Sequence, residues 1–166
     1  MKQTFAGIIL GASAIAAQVT CNAGVYSMGN AKPVPHQPDE VSISSFLFGN
    51  SHAEAYVSTN VLSRQPKWDG MSTNVPLSLE RACILAKASM IHQYPNVKSW
   101  VVDWITFSEI GSSAPHSYTN VWHYYIHFRC CDSSQKVEFE RNPTNCPYCV
   151  VLLDGTVVVP RASHAK

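Results

Sequence analysis

Cys146, Pro147, Tyr148 and Cys149 form a Cys-x-x-Cys tetrapeptide, and an adjacent pair, Cys130 and Cys131, precedes it on the chain. Four thiols so placed could serve as a redox pair, as zinc ligands or as structural bridges. Redox exchange needs a thiolate, which such motifs usually stabilise by opening a helix whose N-terminus lowers the first thiol's pKa. Val150-Val151-Leu152-Leu153 follows instead and reads as a strand. Zinc sites favour cysteine pairs two to four residues apart, whereas neighbouring cysteines on a strand point to opposite faces. Disulfides suit the pattern better, with Cys130 and Cys131 ending one strand near Cys146 and Cys149 at the start of the next. Of the three pairings that four cysteines allow, antiparallel neighbours favour the nested one, Cys130 with Cys149 and Cys131 with Cys146. Each bridge would contribute about 2–4 kcal/mol.

His123 and His127 are the other tempting ligands, yet four strand positions set them about 13 Å apart, too far to share an ion. With Tyr125 between them, and Trp100 or Trp104 on a neighbouring strand, they make the candidate binding surface: His123, Tyr125, His127, Trp100 and Trp104. The alternative is an ordinary solvated sheet face. Asp103 and Glu109 are too widely spaced on one strand for a two-carboxylate hydrolase. No serine stands in a nucleophile elbow and no glycine-rich loop cradles phosphate, so no catalytic residue, metal or cofactor is implied.

The elements that must hold these residues centre on one helix within Val75 to Tyr94. Ser78 is its N-cap, Glu80 favours its first turn, Pro95 ends it, and Leu79, Ala82, Cys83, Ala86 and Met90 form its apolar face. Cys83 is then a free buried thiol. Ala53 to Leu62 reads as a first strand, and Trp68, among turn residues, as a plug at the end of the core. Trp100 to Glu109 carries apolar residues on both parities, which predicts a central strand covered on both faces. From Asn120 to Cys131 the alternation is clear. Trp122, Tyr124, Ile126, Phe128 and Cys130 make the better core face, with His123, Tyr125, His127, Arg129 and Cys131 opposite. Two short strands around an Asp154-Gly155 turn close the chain.

Composition and charge narrow the setting of this domain. Of 166 residues, 46% are hydrophobic and only 14% charged, and twelve basic residues nearly balance eleven acidic ones. That balance, without a basic run, gives no footprint for nucleic acid or an anionic membrane surface. Met1 to Ala23 has the positive start, short apolar run and small-residue end of a secretory signal peptide, with cleavage after Ala16 or, as preferred, Ala23. Cys21 as a lipoprotein cysteine is disfavoured by Thr20 before it. No later stretch is long and apolar enough to span a membrane. The expected organisation is a signal peptide over 1–23, a proline-bearing leader over 24–50 whose segment Ser42 to Phe48 is able to dock, and one domain over 51–166. The expected compartment is secreted or periplasmic.

Strand, helix, then three or four strands on hairpin-length loops predicts an α+β domain, one helix packed on a curled antiparallel sheet of four to five strands. In this order the region from Ala53 to Pro160 resembles the cystatin-like group, including PepSY-type modules. Pro66-Lys67-Trp68-Asp69, Pro76-Leu77-Ser78, Trp122-His123-Tyr124-Tyr125 and Val151-Leu152-Leu153-Asp154-Gly155 also resemble small secreted bacterial domains of unknown function. Cystatin-type inhibitors carry a Gln-x-Val-x-Gly loop, which Gln135-Lys136-Val137-Glu138-Phe139 matches only in part, so protease inhibition is not carried over. The tetrapeptide from Cys146 to Cys149 is identical to the active-site sequence of glutaredoxins, but its strand setting departs from theirs. The expectation is a non-catalytic binding domain engaging a protein or peptide. A thiol-disulfide oxidoreductase using Cys146 and Cys149, or a structural zinc module, is the alternative.

Overall fold

A computed structural model describes residues 34–48, 51–110, 118–131 and 146–164. The signal-peptide segment and the partial cystatin-like motif at Gln135 to Phe139 lie outside the described residues.

Helix α2 (Leu79–Gln93) forms where the apolar spacing places it. Ser78 caps it by accepting a hydrogen bond from Arg81 N at 3.2 Å, and the Tyr94 N–H closes the far end on Met90 O at 2.9 Å. Ala82, Ala86 and Met90 are fully buried, and they pack on β4 (Trp122–Cys130) and β5 (Tyr148–Leu152) through Tyr124, Ile126, Phe128, Cys149 and Val151. The two strands pair antiparallel, with Ile126 opposite Cys149. β3 (Trp100–Glu109) flanks β4 on one side, and β6 (Val157–Val158) completes a sheet of order β3-β4-β5-β6. The turn into β6 uses Gly155 at φ +89°, and buried Gln65 holds it by donating to Asp154 Oδ2 at 2.8 Å.

The expected single helix on one curled sheet is not what forms. β1 (Glu40–Phe48), β2 (Ser51–Ser58) and β7 (Arg161–His164) make a second antiparallel sheet of order β1-β2-β7, and neither sheet closes. It covers the face of β4 and β5 turned away from α2, where Val41, Ala53, Ala55 and Val57 pack against Tyr125, Tyr148, Val150 and Leu152. Helix, sheet and sheet therefore form three layers. All five β5 residues are buried, because this strand has a layer on each side.

Three features of the sequence conceal the second sheet. The prolines before Glu40 masked β1, whose apolar alternation is also broken by a bulge between Ser42 and Ser44. The expected strand from Ala53 to Leu62 divides, with β2 ending at Ser58 and a short α1 (Thr59–Ser63) following. The polar terminal segment carries no strand pattern, yet it forms β7, which pairs with β2 over Ser51 to Glu54. Arg161 on β7 reaches across β2 to Glu40 on β1, making two hydrogen bonds of 2.7 and 2.6 Å that hold the Glu40 carboxyl down at about 2. Trp68 plugs the core end as read, edge-on to Trp122 with ring centroids 4.9 Å apart.

Candidate binding site

β3 was expected to be central, but among the described residues it is the edge strand of its sheet. Its apolar residues occupy both parities because a bulge between Val102 and Trp104 changes which parity faces α2. Before the bulge, Trp100 lies opposite Cys130 and Val102 opposite Phe128; after it, Trp104 lies opposite His127 and Ile105 opposite Ile126. Trp100, Val102, Ile105 and Phe107 thus share the α2 side, and Trp104 is transferred to the other face.

This transfer separates the sequence-predicted residues. Trp100 is buried at 3% exposure against Tyr94 and Phe128, with centroids 5.7 and 6.3 Å away. Trp104 is 41% exposed and lies flat against Tyr125 at 4.8 Å and 18°, and against His127 at 5.3 Å and 10°. Tyr125 in turn stacks on Tyr148 at 4.5 Å and 23°. The three rings come from β3, β4 and β5 in turn, so the roughly 4.8 Å spacing of neighbouring strands itself sets the stacking distance. Phe46 on β1 closes the inner end, 5.8 Å from Tyr148 and 6.0 Å from His127. The row starts between the sheets and emerges at Trp104.

The electrostatic rim comes from the same bulge. Asp103 places Oδ2 3.4 Å from His127 Nδ1 and Oδ1 3.8 Å from Arg129 Nε. Burial lowers the His127 pKa, and the Asp103 carboxylate opposes that shift. His123 lies deeper, at 5% exposure, with Nε2 3.5 Å from Ser108 Oγ. Burial brings its pKa down to about 4, so it stays neutral at ordinary pH. Tyr125 is also buried, and among the described residues its hydroxyl has no hydrogen-bond partner. His123, Tyr125 and most of His127 therefore form an interface between sheets rather than an outer surface. Trp104, with Val101 at 43% exposure and the Asp103–Arg129 pair, is what faces out. Sequence reading missed Phe46, Tyr148, Asp103 and Arg129 as neighbours of this site. The signal available was the parity change around Asp103.

Cys146 packs in the same inter-sheet cluster as Tyr125 and Tyr148, whereas Cys130 and Cys149 lie on the α2 side. Cys146 and Cys149 are buried, and burial pushes both thiols up to about 11. Their motif leads into β5 and opens no helix, so no helix terminus offsets that shift. Tyr94 clamps the first of them, donating to Cys146 O at 3.4 Å and accepting from Cys146 N at 2.9 Å. Gln93 Nε2 donates to Cys149 Sγ at 3.9 Å. Cys131 and Cys149 are free thiols. With Ile126 opposite Cys149, Cys130 stands four residues further along β4, about 13 Å away, whereas a bridge needs Cα atoms about 4.4–6.8 Å apart. Cys83 is half-buried on α2 with its pKa raised by burial. Among the described residues no group of three His, Cys, Asp or Glu side chains could hold a metal ion. Glu109, at the far end of β3 from Asp103, is occupied in accepting the Asn120 N–H. No helix among the described residues is long and apolar enough to cross a membrane.

No protein-family model, curated protein or solved structure matches the chain.

Proposed function

We propose that this protein is an exported, non-catalytic binding domain that engages a protein or peptide partner through the surface around Trp104. The observation that carries the reading is the exposure of an indole already held flat by two rings beneath it. A large aromatic side chain with its conformational freedom removed in advance loses little entropy on binding, and Trp, Tyr and Arg are the residues that dominate interface energetics. Val101 adds apolar area, and the Asp103–Arg129 pair supplies polar contacts at the rim. Export rests on the signal-peptide pattern from Met1 to Ala23.

The test is selection of a displayed peptide library on the immobilised protein, followed by titration of enriched peptides against wild type and Trp104→Ala. Truncation is expected to weaken binding by about 2 kcal/mol or more, the range of an aromatic anchor. Enriched peptides that bind Trp104→Ala as tightly as wild type would refute the assignment.

A further inference from the structure

His127 lies beneath the exposed indole and beside the rim carboxylate, so one titratable ring touches both parts of the Trp104 surface. Its imidazole is nearly parallel to the Trp104 ring, 5.3 Å away at 10°. Nδ1 stands 3.4 Å from Asp103 Oδ2, an approach too loose to satisfy that buried nitrogen. Arg129 Nε stands 3.8 Å from the other carboxylate oxygen, equally loose, on a side chain that is 59% exposed. Asp103 is thus set between two partners and held tightly by neither.

A proton on His127 changes two contacts at once. The Nδ1–H becomes a charged donor to Asp103 Oδ2, and charge-assisted bonds of this kind close to about 2.7–2.9 Å and are roughly twice as strong as neutral ones. The imidazolium also falls within cation–π reach of the indole, which extends to about 6 Å from the ring centroid. We propose that His127 is a proton switch for the Trp104 surface: once protonated, it takes Asp103 as its partner, holds the indole from below and leaves Arg129 free at the rim. The rim then changes from a balanced Asp103–Arg129 pair to an unpaired guanidinium beside a clamped tryptophan, which favours an acidic partner segment. This regulation rests on the binding reading of Trp104 above and adds to it that mild acid tightens the contact.

The groups facing His127 set the sign. From β3 comes Asp103, whose charge favours the proton. From β4 come Arg129, whose charge opposes it, and Tyr125; from β5 comes Tyr148, opposite His127 in register, with Cys146 two residues before it. Burial raises the pKa of Tyr125, Tyr148 and Cys146, so all three stay neutral. From β1 the ring meets uncharged Phe46. Of these groups Asp103 alone is an anion. Burial of His127 lowers its pKa, which places the switch below the roughly 6.5 of a free histidine, and a side chain 17% exposed keeps contact with solvent.

An NMR titration of the full chain from about pH 8 to about pH 5, following the His127 ring and the Trp104 indole N–H, tests the switch without any partner. Both signals are expected to move with one midpoint. Asp103→Asn should lower that midpoint, because it removes the anion that stabilises the imidazolium, and Arg129→Gln should raise it, because it removes a cation that opposes the proton. A selected peptide carrying a carboxylate should bind wild type about threefold more tightly at about pH 5 than at about pH 8, and His127→Gln should lose that gain. A His127 that does not titrate in this range overturns the proposal, as does a Trp104 signal that stays still while His127 titrates. So does a midpoint that neither substitution moves, or a wild-type affinity equal at the two pH values. The titration can fail while Trp104→Ala still weakens peptide binding, and it can succeed where no peptide is enriched, so failure of the switch and failure of the binding reading give different results.

Discussion

Replacing Tyr125 by Phe should make the protein more stable. The Tyr125 ring is held on both flat sides, by Trp104 at 4.8 Å and Tyr148 at 4.5 Å, with Phe46 tilted against it at 6.4 Å. All of these contacts survive in Phe, and no cavity larger than one oxygen is left. What disappears is a buried hydroxyl that has no hydrogen-bond partner among the described residues. Leaving such a group unsatisfied costs about 1–3 kcal/mol, so its removal should stabilise by about 1–2 kcal/mol, or about 3 °C in melting temperature per kcal/mol. Tyr148→Phe supplies a matched contrast. That ring is fully buried, and its hydroxyl donates to Ala53 O at 3.2 Å across the gap between the sheets. Losing this bond leaves a buried carbonyl short of a donor and should cost about 1 kcal/mol. Urea unfolding of wild type and the two variants reads both effects as opposite shifts of the midpoint at constant slope. If Tyr125→Phe were destabilised like Tyr148→Phe, its hydroxyl would be satisfied in solution, and the inter-sheet layer would differ from the packing described above.

Two further perturbations test neighbouring parts of the argument. His123 is buried neutral with its pKa brought down to about 4, below the roughly 6.5 of an unfolded histidine. The unfolded chain therefore binds this proton first. Stability should be full above pH 6.5 and fall as the pH drops toward 4, by about 3 kcal/mol from this group, and His123→Gln should flatten that limb of a pH–stability curve. Gly70 adopts φ +78°, and a β-carbon there would stand 3.3 Å from Trp122 Cζ2. Gly70→Ala should thus lower stability by about 1–2 kcal/mol in thermal or chemical unfolding, and an unchanged midpoint would show that the loop beneath Trp122 yields freely.

Legibility in the sequence followed the range of the interactions. The α2 cap at Ser78 and the buried residues Ala82, Ala86 and Met90 depend on residues within a few positions of each other and stand where the pattern placed them, whereas Leu79, read onto the same face, is exposed in the first turn and Cys83 is half-buried. The two-face alternation of β4 was also readable, including which set of residues faces α2. The partner of its second face was not. Tyr125 and His123 look like surface residues when the covering sheet has to be assembled from β1, β2 and β7, drawn from both ends of the described chain. Small Ala53 and Ala55, fully buried, leave room for the aromatic row against that sheet, and their meaning appears only with the opposing layer.

The parity change across Asp103 was present in the sequence, since apolar residues on both parities of one strand admit two explanations. Coverage on both faces and a bulge produce the same string of residues, and only the pairing with β4 distinguishes them. Local chemistry by itself determined the helix, its caps, the β4 alternation and the Asp154-Gly155 turn, because each is settled by neighbours close along the chain. Tertiary structure decided that Trp100 is buried and Trp104 exposed, that Cys146 and Cys149 are buried in the core, and that β3 is an edge among the described strands. Those outcomes depend on which distant strand lies alongside, and hydrogen bonds and packing between remote segments leave no periodic trace in either segment alone.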